Sequence, residues 1–249
     1  MNDNDHNVTM KVCVITCDAY DHLMTGFAYL FNKFWGEVEV EVRCFRQPPP
    51  LPANFKIWIS PQPDDKEKWT DNLRLFFGRQ PDHYVWLYDD YWMNAPIDHA
   101  KVDRMEDLMI VHGLGKSDLS NNTNYFAHTQ SQLADDLVEA TGDASYRWST
   151  QPSIWSRAYH LHCLIPNRDP WTYELLPVVG ADKYKVAGIR GQIYGYSNVY
   201  YKGKADPYML AKLNDDDLET LQAMGALNGF DPRVDINEIK KLPRKKFGE

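Results

Sequence analysis

The chain reads as an α/β protein built on a mostly parallel, twisted sheet flanked by helices. Three observations predict this. Short apolar or alternating runs recur through the first hundred residues, stretches with apolar residues at helical spacing separate them, and glycine or proline marks the changes of period. Strands that alternate with helices pair in parallel, and the helices cover both faces of the sheet.

Lys11-Val12-Cys13-Val14-Ile15-Thr16 is a short apolar strand. After a turn over Asp18 to Asp21, Leu23, Phe27, Leu30, Phe31 and Phe34 fall on one face of an amphipathic helix that Gly36 ends. Val38, Val40, Val42 and Cys44 alternate with charged residues, the period of a half-exposed strand. A proline-rich connection from Pro48 to Pro52 leads to the strand-like Phe55-Lys56-Ile57-Trp58-Ile59. Trp69, Leu73, Phe76 and Phe77 predict a helix running into Gly78, and Tyr84-Val85-Trp86-Leu87 reads as a buried strand after a Pro-Asp-His turn. Beyond residue 100 the pattern is less regular. Leu108 to Val111 predicts a strand entering a Gly-rich loop, residues 118–128 a polar loop, and Leu133 to Ala140 a short helix. From Asp206 onward, two apolar stripes (Tyr208, Leu210, Leu213, then Leu218, Leu221, Met224, Leu227) predict a small helical C-terminal appendage.

With 43% hydrophobic residues in 249, the chain can bury one substantial core. No apolar stretch approaches the roughly 20 residues that cross a bilayer, and the polar, acidic start, Met1 to Met10, resembles neither a secretion signal nor a mitochondrial address. The expected location is cytoplasmic. Cys13, Cys17, Cys44 and Cys163 are scattered without zinc spacing, as thiols in a reducing compartment are. A net charge of −8 argues against a general nucleic-acid binder. Lys240, Lys241 and Arg244-Lys245-Lys246 form a local exception, a basic tail suited to a phosphate backbone or anionic headgroups.

Candidate chemistry begins where the apolar run of Tyr84 to Leu87 stops. Tyr88-Asp89-Asp90-Tyr91 places two adjacent carboxylates at the carboxyl end of a buried strand, where open α/β sheets bind ligands. Two such acids stay ionised cheaply only beside a cation, and a hard divalent metal is the usual one. Neighbouring strand residues point to opposite sides, so only one of the two is expected to reach it, and Asp90 is the one favoured here. A second constellation runs from Gln151 to Glu174. Asp169 and Pro170 are an N-cap and first-turn pair, which puts Glu174 one helical turn in, among aromatic rings, where a carboxylate suits a general base. Gly113-Leu114-Gly115-Lys116-Ser117 lacks the Gly-x-x-x-x-Gly-Lys spacing of a phosphate loop. His160 and His162 would share a face only in an extended segment, and their context looks helical, so a structural role is expected.

Ile15-Thr16-Cys17-Asp18, Leu87-Tyr88-Asp89-Asp90-Tyr91-Trp92, Gln151 to Trp155 and Pro170-Trp171-x-x-Glu174, in that order, resemble GT-A-type glycosyltransferases, in particular sugar transferases of bacterial polysaccharide clusters and phage genomes. The resemblance spans roughly residues 10 to 205. It implies a GT-A-like catalytic domain over 1–205, with a Rossmann-like nucleotide-sugar half at 10–100 and an acceptor half at 101–205, followed by the appendage at 206–249. It implies a donor site of Thr16, Cys17, Asp18, Tyr20, Asp89, Asp90, Lys202 and Lys204, with Asp89 and Asp90 binding a diphosphate through Mn2+ or Mg2+. Glu174 would be the base of an inverting transfer, and Gln151, Trp155, Trp171, Tyr91 and Trp92 would meet the acceptor. A UDP-sugar is the first expectation for the donor. The acceptor is a saccharide or a hydroxymethylated base in phage DNA. The rival is a non-catalytic saccharide-binding module of the same fold. A metal-dependent hydrolase would need further His or Asp ligands beside Asp89 and Asp90.

Overall fold

A computed structural model describes residues 10–121, 131–144, 146–230 and 233–243. The acidic start before Met10, most of the polar stretch expected to be a loop, and Arg244-Lys245-Lys246 lie outside the described residues. One nine-stranded sheet organises the chain, in the order β3-β2-β1-β4-β9-β6-β10-β8-β7. Its first half is β1 (Val12–Ile15), β2 (Val40–Cys44), β3 (Phe55–Ile59) and β4 (His83–Tyr88), all parallel. The second half is β6 (Leu114–Asp118), β7 (Ser131–Ala134), β8 (Leu137–Glu139), β9 (Ser153–Ser156) and β10 (Lys185–Ile189). Of the described sheet, β8 and β9 run against the other strands, so it is mostly parallel as expected.

Helices cover both faces. Helices α1 (Met24–Phe34) and α3 (His99–His112) share one core with Val12, Val14 and Val85. On the other side, α2 (Trp69–Phe77), α4 (Arg157–Cys163) and α5 (Pro170–Leu175) pack over Cys13, Trp86 and Trp155. This burial on both sides corrects the half-exposed reading of Val38 to Cys44. All five residues of β2 are buried, including Glu41 and Arg43. Glu41 is neutralised by Lys11 at 2.6 Å and Arg79 at 2.7 Å.

Two further expectations are corrected. Leu108 to Val111 is the last turns of α3, and the strand comes after it as β6. Ile110 and Val111 are exposed, so their apolar character mimicked a buried run without packing. Leu133 to Ala140 is the hairpin of β7 and β8, whose short strands carry too few residues to reveal period two.

Small strands then assemble the sheet's working edge. β5 (Tyr91–Met93) pairs with β11 (Tyr196–Asn198). β12 (Tyr200–Tyr201) pairs with β13 (Lys204–Ala205) across a two-residue turn in which Lys202 and Gly203 both have positive φ. The C-terminal helices α6 (Pro207–Leu210), α7 (Asp215–Ala223) and α8 (Ile236–Ile239) continue the core of α1 through Leu210, Leu218, Leu221 and Ile239. Buried Asp217 fixes the join, accepting from Tyr29 Oη at 3.0 Å and pairing with Lys33 at 2.5 Å. No helix among the described residues is long and apolar enough to cross a membrane.

Candidate functional site

Strand order 3-2-1-4 creates a switch point between β1 and β4, and a crevice opens outside their carboxyl ends. A cleft of about 550 Å³ lies there. Thr16, Cys17 and Tyr20 after β1, Asp89, Asp90 and Tyr91 after β4, and Trp171 and Glu174 on α5 all line it. These eight come from three separate sequence segments.

Asp89 and Asp90 occupy a turn after β4, so strand alternation does not separate them and both face the cleft. The turn is held by Trp92 Nε1, which donates to the Asp89 carbonyl at 3.1 Å, and by Val199 N, which donates to the Asp90 carbonyl at 3.0 Å. Asp89 is 2% exposed and its Oδ2 has no partner. Burial and then the charge of Asp90 push its carboxyl well up. Burial pushes Asp90 up to about 7. With its amide nitrogen turned inward, Asn198 donates to Asp90 Oδ2 at 3.0 Å. Two crowded acids with an orphaned oxygen fit a hard divalent cation. Mg2+ in particular is held by one or two carboxylates together with phosphate oxygens and water. Among the described residues no group of three or more His, Cys, Asp or Glu could form an all-protein cage, and the extra ligands a hydrolase would need are not found there.

Glu174 lines the same cleft from α5. The Asp169 side chain caps α5 by accepting from Trp171 N at 2.8 Å and Thr172 N at 2.9 Å, and this starts the turn that presents Glu174. One carboxylate oxygen accepts from Thr150 N at 2.7 Å and from Thr150 Oγ1 at 2.6 Å. Trp171, 59% exposed, forms the rim with Lys66 Nζ 4.0 Å from its ring centre.

Other expected contacts fall outside the lining. Asp18 is tied to Arg46, which donates to its carbonyl at 2.8 Å. Lys202 and Lys204 belong to the exposed hairpin, and it is their neighbour Tyr201 that reaches the cleft. Gln151 accepts a hydrogen bond from Tyr196 Oη and ties β11 to the Thr150 segment. Trp92 and Trp155 are fully buried, which corrects their expected contact with an acceptor. Trp92 packs so closely on α1 that a Cβ at Gly26 would lie 2.3 Å from its ring. Trp155 stacks on His160, with ring centres 4.3 Å apart. His160 is itself structural: its Nδ1 bonds Tyr84 Oη at 2.6 Å, and burial pulls its pKa well down. The Gly-Lys-Ser sequence is the buried β6, where a Cβ at Gly115 would strike the Tyr159 ring at 2.4 Å.

Sequence reasoning missed Arg43, Phe45, Asp64, Lys66 and Thr150, which also line the cleft. None of them stood out in the sequence, and Arg43 sits where the alternation of Val38 to Cys44 with charged residues implied a solvent face. Burial pushes the Cys17 thiol up to about 11, so it stays protonated near neutral pH.

No protein-family model matches the chain, and no curated protein matches it. Among solved structures, a 1–349 fragment of S. aureus TarS matches with 14% identity over 93% of this chain and 77% of that one, at a TM-score of 0.49. Of a longer TarS chain, this chain spans 46%, at 14% identity over 93% of its own length and a TM-score of 0.48. UDP-glucose pyrophosphorylase complexed with UDP-glucose matches with 9% identity over 77% of this chain and 93% of that one, at 0.47. At such scores the likeness is one of general chain course, and the chemistry has to be argued from the cleft.

Proposed function

We propose that the protein is a glycosyltransferase that moves a sugar from a nucleoside-diphosphate donor to a saccharide hydroxyl with inversion. One observation carries the reading: a crowded acid pair and a separately held carboxylate, Glu174, line a single cleft at the β1/β4 switch point. Asp89 and Asp90 would hold Mn2+ or Mg2+ jointly with the donor's diphosphate. The ion, when bound, supplies Lewis-acid neutralisation of charge on the departing diphosphate. Thr150 fixes the Glu174 carboxylate by two hydrogen bonds. Glu174 takes the proton of the acceptor hydroxyl as that oxygen attacks the anomeric carbon, and the bond from that carbon to the diphosphate oxygen breaks.

A saccharide acceptor is favoured over modified DNA. The exposed Trp171 offers a flat apolar face at the rim, suited to a sugar ring. The cleft walls carry Asp64, Asp89, Asp90 and Glu174, an acidic surrounding for a phosphate backbone. The described part of the basic tail is already engaged, Lys240 with Glu219 and Lys241 with Glu238 at 2.6 Å.

The test is transfer or slow donor hydrolysis with a panel of nucleotide sugars and Mn2+. Glu174→Gln should retain donor binding and lose turnover by about 10²- to 10⁴-fold. Donor binding with no turnover in the wild type under any condition would favour the non-catalytic saccharide-binding module instead.

A further inference from the structure

Arg43 lines the cleft but takes no part in the proposed displacement. It is the penultimate residue of β2, level with Ile15 of β1, and is 1% exposed. Its Nη1 donates to the Thr16 carbonyl at 3.1 Å, and the Phe45 ring centre lies 4.4 Å from Cζ. Nε and Nη2 have no partner. These two nitrogens form the side of the guanidinium whose N–H bonds run parallel, the fork that engages two acceptors at once. A buried fork without acceptors destabilises the fold unless a ligand completes it.

Two facts select the acceptors. Asp64 lines the same cleft, close enough to interact electrostatically with Arg43. A carboxylate there repels phosphate but accepts from an N–H. In addition, β1 lies between β2 and β4, so Arg43 is two strand spacings, roughly 10 Å, from the strand that leads to the acid pair. A nucleotide whose diphosphate sits at Asp89 and Asp90 can extend its base toward this end.

We infer that Arg43, with Asp64 beside it, reads a nucleobase edge that presents two neighbouring acceptors next to an N–H donor. This selects a cytidine or guanosine donor over the uridine donor expected from the sequence, and it rests on the donor-site reading above. Cytosine offers O2 and N3 side by side with its amino group adjacent. Guanine offers O6 and N7, with N1–H next to O6. Uracil separates its carbonyls by N3–H and leaves one arm of the fork empty.

The experiment is calorimetric titration of the full chain with CDP, GDP, UDP and inorganic pyrophosphate, each with Mn2+. CDP or GDP should bind tighter than UDP by about tenfold or more. In Arg43→Lys, which keeps the charge and removes the fork, the preference should collapse while pyrophosphate affinity is unchanged. UDP binding as tightly as both others overturns the inference and leaves the donor site standing. So does an equal loss of pyrophosphate affinity in Arg43→Lys. Failure of pyrophosphate and all three nucleotides to bind overturns both. The wild-type ranking decides the question even if the variant does not fold.

Discussion

Buried charge is treated in opposite ways at two places on the same edge of the sheet. At the end of β6, Lys116 and Asp118 are both fully buried and meet at 2.6 Å, with Ser149 accepting from Lys116 at 3.1 Å. At the ends of β1, β2 and β4, Asp89 and Asp90 crowd each other with like charge, and the Arg43 fork is unpaired. The chain neutralises the first group itself, so that group serves architecture. The second is left for something from outside to complete, which marks it as a site.

The contrast can be broken by substitution. The largest expected effect is on turnover: Asp90→Asn should abolish metal-dependent transfer without lowering the melting temperature, because it relieves a repulsion in the free protein. A variant that unfolds instead would place Asp90 with the structural charges. Next comes Lys116→Met, which leaves Asp118 buried without its cation. It should cost about 3–5 kcal/mol in denaturant unfolding, whereas a loss below 1 kcal/mol would erase the distinction between the two groups.

Gly26→Ala should cost about 1–3 kcal/mol, since the new methyl must displace the Trp92 ring. Because Trp92 Nε1 holds the Asp89 carbonyl, the same variant should weaken Mn2+ affinity. Normal metal binding in a destabilised Gly26→Ala would show that Trp92 does not set the acid turn.

The smallest effect is a pH dependence. Asp90 is raised to about 7 in the fold, against about 3.9 unfolded. A raised folded value means the unfolded chain gives up its proton first. The associated stability is therefore complete below the unfolded value and is lost as pH rises through the folded one. The cation proposed for this site would bind the ionised pair, so the rise in melting temperature on adding Mn2+ should be larger at pH 8 than at pH 6. An equal rise at both would mean that the ion binds elsewhere.

Much of this site was legible in the sequence, because its parts sit at element ends that local chemistry announces. The β4 run stops at Asp89, and the Asp169-Pro170 cap fixes where Glu174 falls. What was hidden depends on long-range packing. Alternation in β2 implied a solvent face for Arg43, but α2 and its neighbours cover that side, and only the assembled sheet turns this charge toward the cleft. The resemblance put Trp92 and Trp155 beside Trp171 at the acceptor, and an indole has the same chemistry at a rim and in a core. Burial alone separates them from Trp171. Exposed Ile110 and Val111 likewise disguised the end of α3 as a strand.

The central claim is that Asp89 and Asp90 bind a nucleoside diphosphate through a cation, and thermal unfolding tests it directly. With Mn2+ present, a nucleoside diphosphate at a hundredfold its dissociation constant should stabilise the wild type by about 2.7 kcal/mol, and Asp90→Asn should remove that gain. An equal gain in Asp90→Asn, or none in the wild type with either Mn2+ or Mg2+, would contradict it.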